Sequence, residues 1–328
     1  MKVQRLSSTD GFIVWDLDHA TTAAGVVRLA PKVLQDGATL LARSTTYVFA
    51  SFGIDGHGGA SAAVNTKPDG RDAAVAAFVE EVRPLVAAGR LRLAPGLGMT
   101  AGDLASLADA MGGGGAGGAE PEADADPGPT GTAGGATDPG SGAADPGIGT
   151  GSAGAGDARL TAAGAVAAAR VAGPLDSRTA AVVGAGPVVD ATVAALTEAD
   201  TTLVDGRYDA ECDLLFVAGK AGCLDHPTAE VVQAKVIVPL TPVPVTARAL
   251  AILGRAGRVV VPDFLSVAAT LLAAADPAGT DGDPVLRIRE ATVVLADRGT
   301  GLWLAAAHRA EDHLATWTKE RPFGRPLA

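Results

Sequence analysis

The sequence predicts an α/β protein of two domains. The first is an N-terminal α/β domain with a mixed sheet, and the second is a Rossmann-like, doubly wound dinucleotide-binding domain. Three observations carry this reading. Short, wholly apolar stretches alternate with longer helical ones in the second half, as parallel strands buried on both faces do. A glycine turn with Gly184 and Gly186 lies where one such strand gives way to a helix. A long stretch of glycine, proline, alanine and acid separates the two halves. With 328 residues, 48% of them apolar, the chain can fill two cores of ordinary size.

Residues 11–18, GFIVWDLD, read as a strand from their β-branched and aromatic content. Residues 33–52 carry apolar side chains at helical spacing, with Gly37 as a weak point. Residues 61–64 form a short strand of small residues, after a glycine turn at Gly58 and Gly59. A helix follows from Asp69-Gly70-Arg71-Asp72 to about Ala88, with Val75, Phe78, Val79 and Val82 on one side. LRLAP, residues 91–95, is a strand, and a helix follows over about 100–111. Residues 112–157 hold seven carboxylates, no basic residue and one large apolar side chain, Ile148. Such a segment cannot bury enough surface to offset its ordering entropy, so it reads as a disordered linker.

After the linker, LTAAGAVAAARVAG is a helix of small residues with Thr161 near its start. The strands expected next are 179–186, running into the glycine turn, then 201–205, 213–219, 235–240 and 258–263. Helical stretches lie between several of them. Two further helices, 284–297 and 301–319, close the chain. The expected organisation is an N-terminal substrate and oligomerisation domain over 1–111 and the linker over 112–157. The dinucleotide domain follows over 158–279, then C-terminal helices over 280–328.

Composition excludes several functions. A net charge of −11 argues against nucleic-acid binding through a basic surface. No run of eighteen apolar residues predicts a membrane span. The N-terminus lacks an apolar signal core, so the expected location is cytoplasmic. Cys212 and Cys223 read as buried thiols, forming neither a disulfide framework nor a zinc site. No metal is expected at His226, His308 or His313, and the last two read as exposed on one helix.

The cofactor signal is a constellation. Gly184 and Gly186 would let backbone amides meet a pyrophosphate at a helix N-terminus. Asp205 follows about twenty residues on, at the end of the next strand, where an acid accepts from the ribose hydroxyls of NAD. Neighbouring Arg207 leaves NADP open. The third small residue of the fingerprint is Val189, which would push helix and strand apart.

The segment 41–64, LARSTTYVFASFGIDGHGGASAAV, resembles the substrate-binding segment of the Glu/Leu/Phe/Val dehydrogenases without its two lysines. The resemblance is closest to the leucine, valine and phenylalanine dehydrogenases. Arg28 in GVVRLAP sits where that family has Gly-Gly-Thr-Arg. CDLLFVAGKAGCLD and VPDFLSVAATLL resemble its cofactor-side segments. In the family one lysine holds the substrate carboxylate and the other activates water; Val48 and Ala60 occupy the matching positions. The family's acid/base aspartate falls within 95–100, which holds no acid, and its cleft asparagine falls at about Val267.

The resemblance implies an NAD(P)-dependent oxidoreductase of amino acids, imines or related small molecules, without the lysine/aspartate deamination mechanism. The alternative is a catalytically inactive paralogue serving a partner. Homo-oligomers, or hetero-oligomers with an active homologue, are implied by resemblance alone. His57, with Asp55 two residues before it, is the replacement acid/base candidate. A surface-loop histidine is the plainer alternative for it.

Overall fold

The computed structural model describes residues 1–110, 155–297, 301–320, 322 and 324–328. Of the expected linker, 112–154 lies outside the described residues, whereas 155–157 begin a helix.

The first half is built on β1 (Lys2–Arg5), β2 (Gly11–Trp15), β3 (Thr22–Ala30), α1 (Gln35–Ser51), β4 (His57–Asn65), α2 (Arg71–Ala87), β5 (Leu91–Pro95) and α3 (Ala105–Ala110). Its sheet runs in the order β1-β2-β4-β3-β5. The first two pairings are antiparallel and the last two parallel, so the sheet is mixed. The crossovers β3–α1–β4 and β4–α2–β5 step in opposite directions, which puts α1 and α2 on opposite faces. Side-chain alternation agrees with this. Ile13, Ala60, Ala62 and Val64 pack with Phe78 and Val82 of α2. Phe12, Val14 and Ala63 pack with Ala38 and Ala42 of α1.

β4 begins at His57, so Gly58 and Gly59 are strand residues and not the expected turn. The reason is helix packing. A Cβ on Gly59 would lie 1.6 Å from the Ala42 carbonyl oxygen of α1. Only glycine lets the helix come this close, and the Gly59 amide donates to Thr46 Oγ1 at 2.9 Å.

The second half contains α4 (Ala155–Ala169), β6 (Thr179–Val183), α5 (Pro187–Glu198), β7 (Thr202–Leu203), β8 (Leu214–Val217), α6 (His226–Val231), β9 (Val236–Pro239), α7 (Ala247–Arg255) and β10 (Val259–Val260). Then come α8 (Asp263–Ser266), α9 (Ala269–Ala275), α10 (Pro284–Ala296) and α11 (Leu302–Trp317). The second sheet is wholly parallel, in the order β10-β9-β8-β6-β7. Its winding reverses between β6 and β8, as a doubly wound sheet requires. No helix joins β7 to β8, because residues 204–213 are too few for a helical crossover.

The two halves share a core. α1 packs on α11 and α8, and α10 packs on α4 and α11. Asp263 lies buried at this seam. It accepts from Ser44 Oγ of α1 at 2.7 Å and from the Val243 amide at 2.9 Å. Burial pushes its carboxyl up to about 6, against those hydrogen bonds, which act to lower it.

Candidate functional site

The β6–α5 turn is a backbone device. Gly184 and Gly186 have φ of 122° and 107°, values that side chains with a Cβ rarely adopt. A Cβ on Gly184 would also meet the Ala218 carbonyl oxygen, at the end of β8, at 2.4 Å. The turn therefore lies at the strand-order reversal, outside the carboxyl ends of β6 and β8, where open α/β sheets bind ligands. Gly186 caps α5 with no side chain, and Pro187 opens the helix. The first amides of α5 are thus presented at the positive end of its dipole. Val189 is buried in α5, which still packs on β6.

Asp205 follows β7 and is exposed, and its charge acts on neighbouring Arg207. Arg207 is held by Asp209 through two hydrogen bonds, at 2.9 and 2.6 Å.

A cleft separates the α1 face of the first sheet from α4, α5 and α9. Its two ends share Gly25, Ala94, Asp157, Thr270 and Leu271. The wider end, about 470 Å³, is bordered by His57, Phe49 and Arg92. The narrower end, about 200 Å³, is bordered by Val26, Arg28, Leu41, Val188, Thr241 and Val267. Val188, in the first turn of α5 and two residues past Gly186, borders the narrower end.

The candidate pair His57 and Asp55 is not an acid–base pair. His57 Nδ1 contacts the backbone carbonyl of Asp55 at 3.0 Å, and its ring lies against Phe49. The Asp55 carboxylate instead lies 3.1 Å from His313 Nε2 of α11. His313 is thus half-buried against the loop before β4, in place of the expected exposure. Register also separates His57 from the narrow end. His57 is opposite Thr22 and Ala63 is opposite Arg28, six residues along β3. At about 3.3 Å per residue that is roughly 20 Å, too far for one small molecule to meet both.

Val48 and Ala60, the positions that the sequence resemblance pairs with the family's lysines, do not face the cleft. Val48 is buried with Tyr47 in the core between the halves. Ala60 points into the α2 core, and its neighbour Ser61, opposite Val26, points to the cleft side. The Ser61 hydroxyl is buried, with no hydrogen-bond partner among the described residues. Tyr47 is core, and its hydroxyl bonds Glu311, which also holds Arg325.

Two cleft residues had no role in the sequence reading. Asp157 fell inside the expected linker, yet it borders both ends of the cleft from the first turn of α4. Arg28 drew notice only as part of a resemblance. The signal for it was alternation: Val26 and Arg28 share one face of β3, opposite that of Val27. Among the described residues no group of three or more histidine, cysteine or acidic side chains is placed to hold a metal. No helix among them is long and apolar enough to cross a membrane.

Fold and turn together define a two-domain α/β protein with the architecture of the amino-acid dehydrogenases. The comparisons with solved structures agree. A hetero-hexameric glutamate dehydrogenase from Thermus thermophilus, in a leucine-bound form, is 20% identical, with a TM-score of 0.71 over 94% of this chain and 84% of that one. L-tryptophan dehydrogenase from Nostoc punctiforme is 19% identical, with a TM-score of 0.63 over 96% and 95%. Glutamate dehydrogenase from Peptoniphilus asaccharolyticus is 14% identical, with a TM-score of 0.63 over 93% and 86%. At such identities the likeness establishes the fold. No family model matches the sequence, and no curated protein matches it.

Proposed function

We propose that the protein is a nicotinamide-dependent oxidoreductase of the amino-acid dehydrogenase type, acting on an amino acid, imine or related small molecule. The observation that carries this is the positive-φ turn at Gly184 and Gly186, which leads into α5, whose Val188 borders the narrow end of the cleft. Positive φ at both glycines serves a ligand-facing turn; packing alone does not call for it at Gly186, whose Cβ would meet open space. The solved structures titled as glutamate and tryptophan dehydrogenases support the same reading.

The pyrophosphate would lie on the first amides of α5, and Asp205 would accept from the adenosine ribose. NAD fits better than NADP. Asp205 would repel a 2′-phosphate, and Arg207 is already paired with Asp209. The cofactor supplies hydride chemistry when bound. Asp157, the one carboxylate bordering the cleft among the described residues, is the proton-transfer candidate there. The family's lysine-activated water has no counterpart, since no lysine borders either end of the cleft.

That absence also supports a second reading, a catalytically inactive paralogue that assembles with an active partner, as a hetero-hexameric relative of this fold would allow. The location would be cytoplasmic.

The test is titration of the purified protein with NADH, followed by calorimetry. Binding is expected, and a Gly186→Val variant should lose it while keeping its fold. No affinity for NADH or NADPH at about 1 mM would overturn the oxidoreductase reading. Binding without turnover of any amine, imine or keto acid would favour the inactive paralogue.

A further inference from the structure

Among the described residues, two that are not glycine have positive φ, Asp200 at 55° and Val243 at 54°. Asp200 is exposed just past the end of α5, and aspartate tolerates the left-handed region there. Val243 has neither allowance. It is β-branched and buried, and Pro244 after it favours extended backbone at its position. A conformation so disfavoured persists only where its surroundings over-determine it, and such residues cluster at ligand sites.

Three hydrogen bonds hold it. The Val243 carbonyl accepts from the Gly222 amide, and the Pro244 carbonyl accepts from the Leu224 amide, each at 2.9 Å. The third is made by a side chain: the Val243 amide donates to Asp263 Oδ2 at 2.9 Å. Asp263 is itself fixed by Ser44 of α1 at 2.7 Å. Its carboxyl, pushed up to about 6, is still mostly ionised at neutral pH. A carboxylate acceptor makes this the strongest of the three bonds. The turn decides where Thr241 and Pro242 lie, and both border the narrow end of the cleft. Thr241 Oγ1 donates to the Gly219 carbonyl at 2.9 Å and accepts from the Gly219 amide at 3.2 Å. Gly219 follows Ala218, whose carbonyl lies close against Gly184. Contacts thus run unbroken from Asp263 through Val243 and Thr241 to the glycine turn.

We propose that Asp263 is a positioning residue: by clamping Val243 in its strained turn, it sets the wall that Thr241 and Pro242 form and the shape of the site beside the glycine turn. The bistable element is the Val243 backbone, which relaxes to negative φ once the clamp is released. The effect on cofactor binding rests on the oxidoreductase reading; the clamp itself does not.

The experiment measures two quantities in the full chain: NADH affinity by calorimetry, and hydrogen exchange at the Gly222 and Leu224 amides by NMR. Asp263→Ala removes the acceptor. NADH affinity should fall roughly tenfold or more, and exchange at both amides should speed up. Adding Val243→Gly, which takes positive φ freely, should restore most of both. Adding Val243→Ala instead removes most of the same side chain but keeps its Cβ, and should restore neither. Losses that simply add in the Asp263→Ala/Val243→Gly double variant, or equal rescue by alanine, would overturn the clamp, because a purely structural aspartate predicts them. Should Asp263→Ala fail to fold, Asp263→Asn keeps the shape without the charge, and should show a smaller loss with the same pattern of rescue. If the wild type binds no NADH, the oxidoreductase reading falls and the exchange pattern alone decides the clamp. If it binds NADH, and Asp263→Ala changes exchange without changing affinity, the positioning role falls.

Discussion

Gly58-Gly59 and Gly184-Ala185-Gly186 read alike in the sequence, as glycine turns beside a binding site. The structure uses them differently. Gly58 and Gly59 lie inside β4, where the missing side chain of Gly59 lets α1 settle on the sheet. Gly184 and Gly186 form a true turn with positive φ, and a Cβ on Gly186 would point into open space. The first pair serves packing and the second presents backbone. The contrast shows that a glycine's meaning depends on what its absent Cβ would have touched.

The largest expected effect breaks the packing side of this comparison. Gly59→Ala places a methyl group against the α1 backbone and should destabilise the protein by about 4 kcal/mol, or prevent folding. Thermal unfolding reads this directly. A melting temperature within a few degrees of wild type would mean that β4 and α1 are not packed as described.

The next test asks whether α1 and the second half behave as one unit. Asp263 accepts from Ser44 on α1, and its pKa in the folded protein is raised from 3.8 to about 6. Between those values the folded state keeps a proton that the unfolded state has lost. Stability should therefore fall as pH rises from about 4 to about 6, by up to about 3 kcal/mol. Asp263→Asn should flatten that slope in denaturant titrations across the window. Asp213 and Glu81, held at about 2 by hydrogen bonds, act in the opposite sense and at lower pH. An unchanged slope in the Asn variant would place the titrating group elsewhere.

The smallest effect sharpens the presenting side. Asp205 is exposed and acts on Arg207 only through its charge, so Asp205→Asn should change stability by less than about 0.5 kcal/mol. NADH affinity should nevertheless fall roughly tenfold, and preference for NADH over NADPH should narrow. Equal NADH affinity in variant and wild type would take Asp205 out of the ribose site.

Much of this was legible in the residues. β5 and β6 announce themselves as short apolar runs, and α2 by Val75, Phe78, Val79 and Val82. The glycine turn after β6 was readable because strand, turn and helix impose different residue types in a fixed order. What was not legible depends on three dimensions. The face of Ala60 follows from register, and one residue reverses it. Asp55 meets His313 across more than 250 residues of chain, a contact that no local pattern encodes. Asp157 looked like linker because its neighbours up to 154 are glycine, alanine and serine, while helix α4 had already begun. Arg28 stands out only because no carboxylate among the described residues pairs with it.

The bare crossing from β7 to β8 has a consequence of its own. Most crossovers in such a sheet hide the chain in a helix; here residues 204–213 carry it as an exposed loop that includes Asp205 and Arg207. The ribose-facing edge of the proposed nucleotide site thereby includes the exposed residues Asp205 to Arg207, with a trypsin bond after Arg207. Nucleotide bound across Asp205 would shield that bond, so the rate at which the chain is nicked there would report occupancy without any catalysis at all.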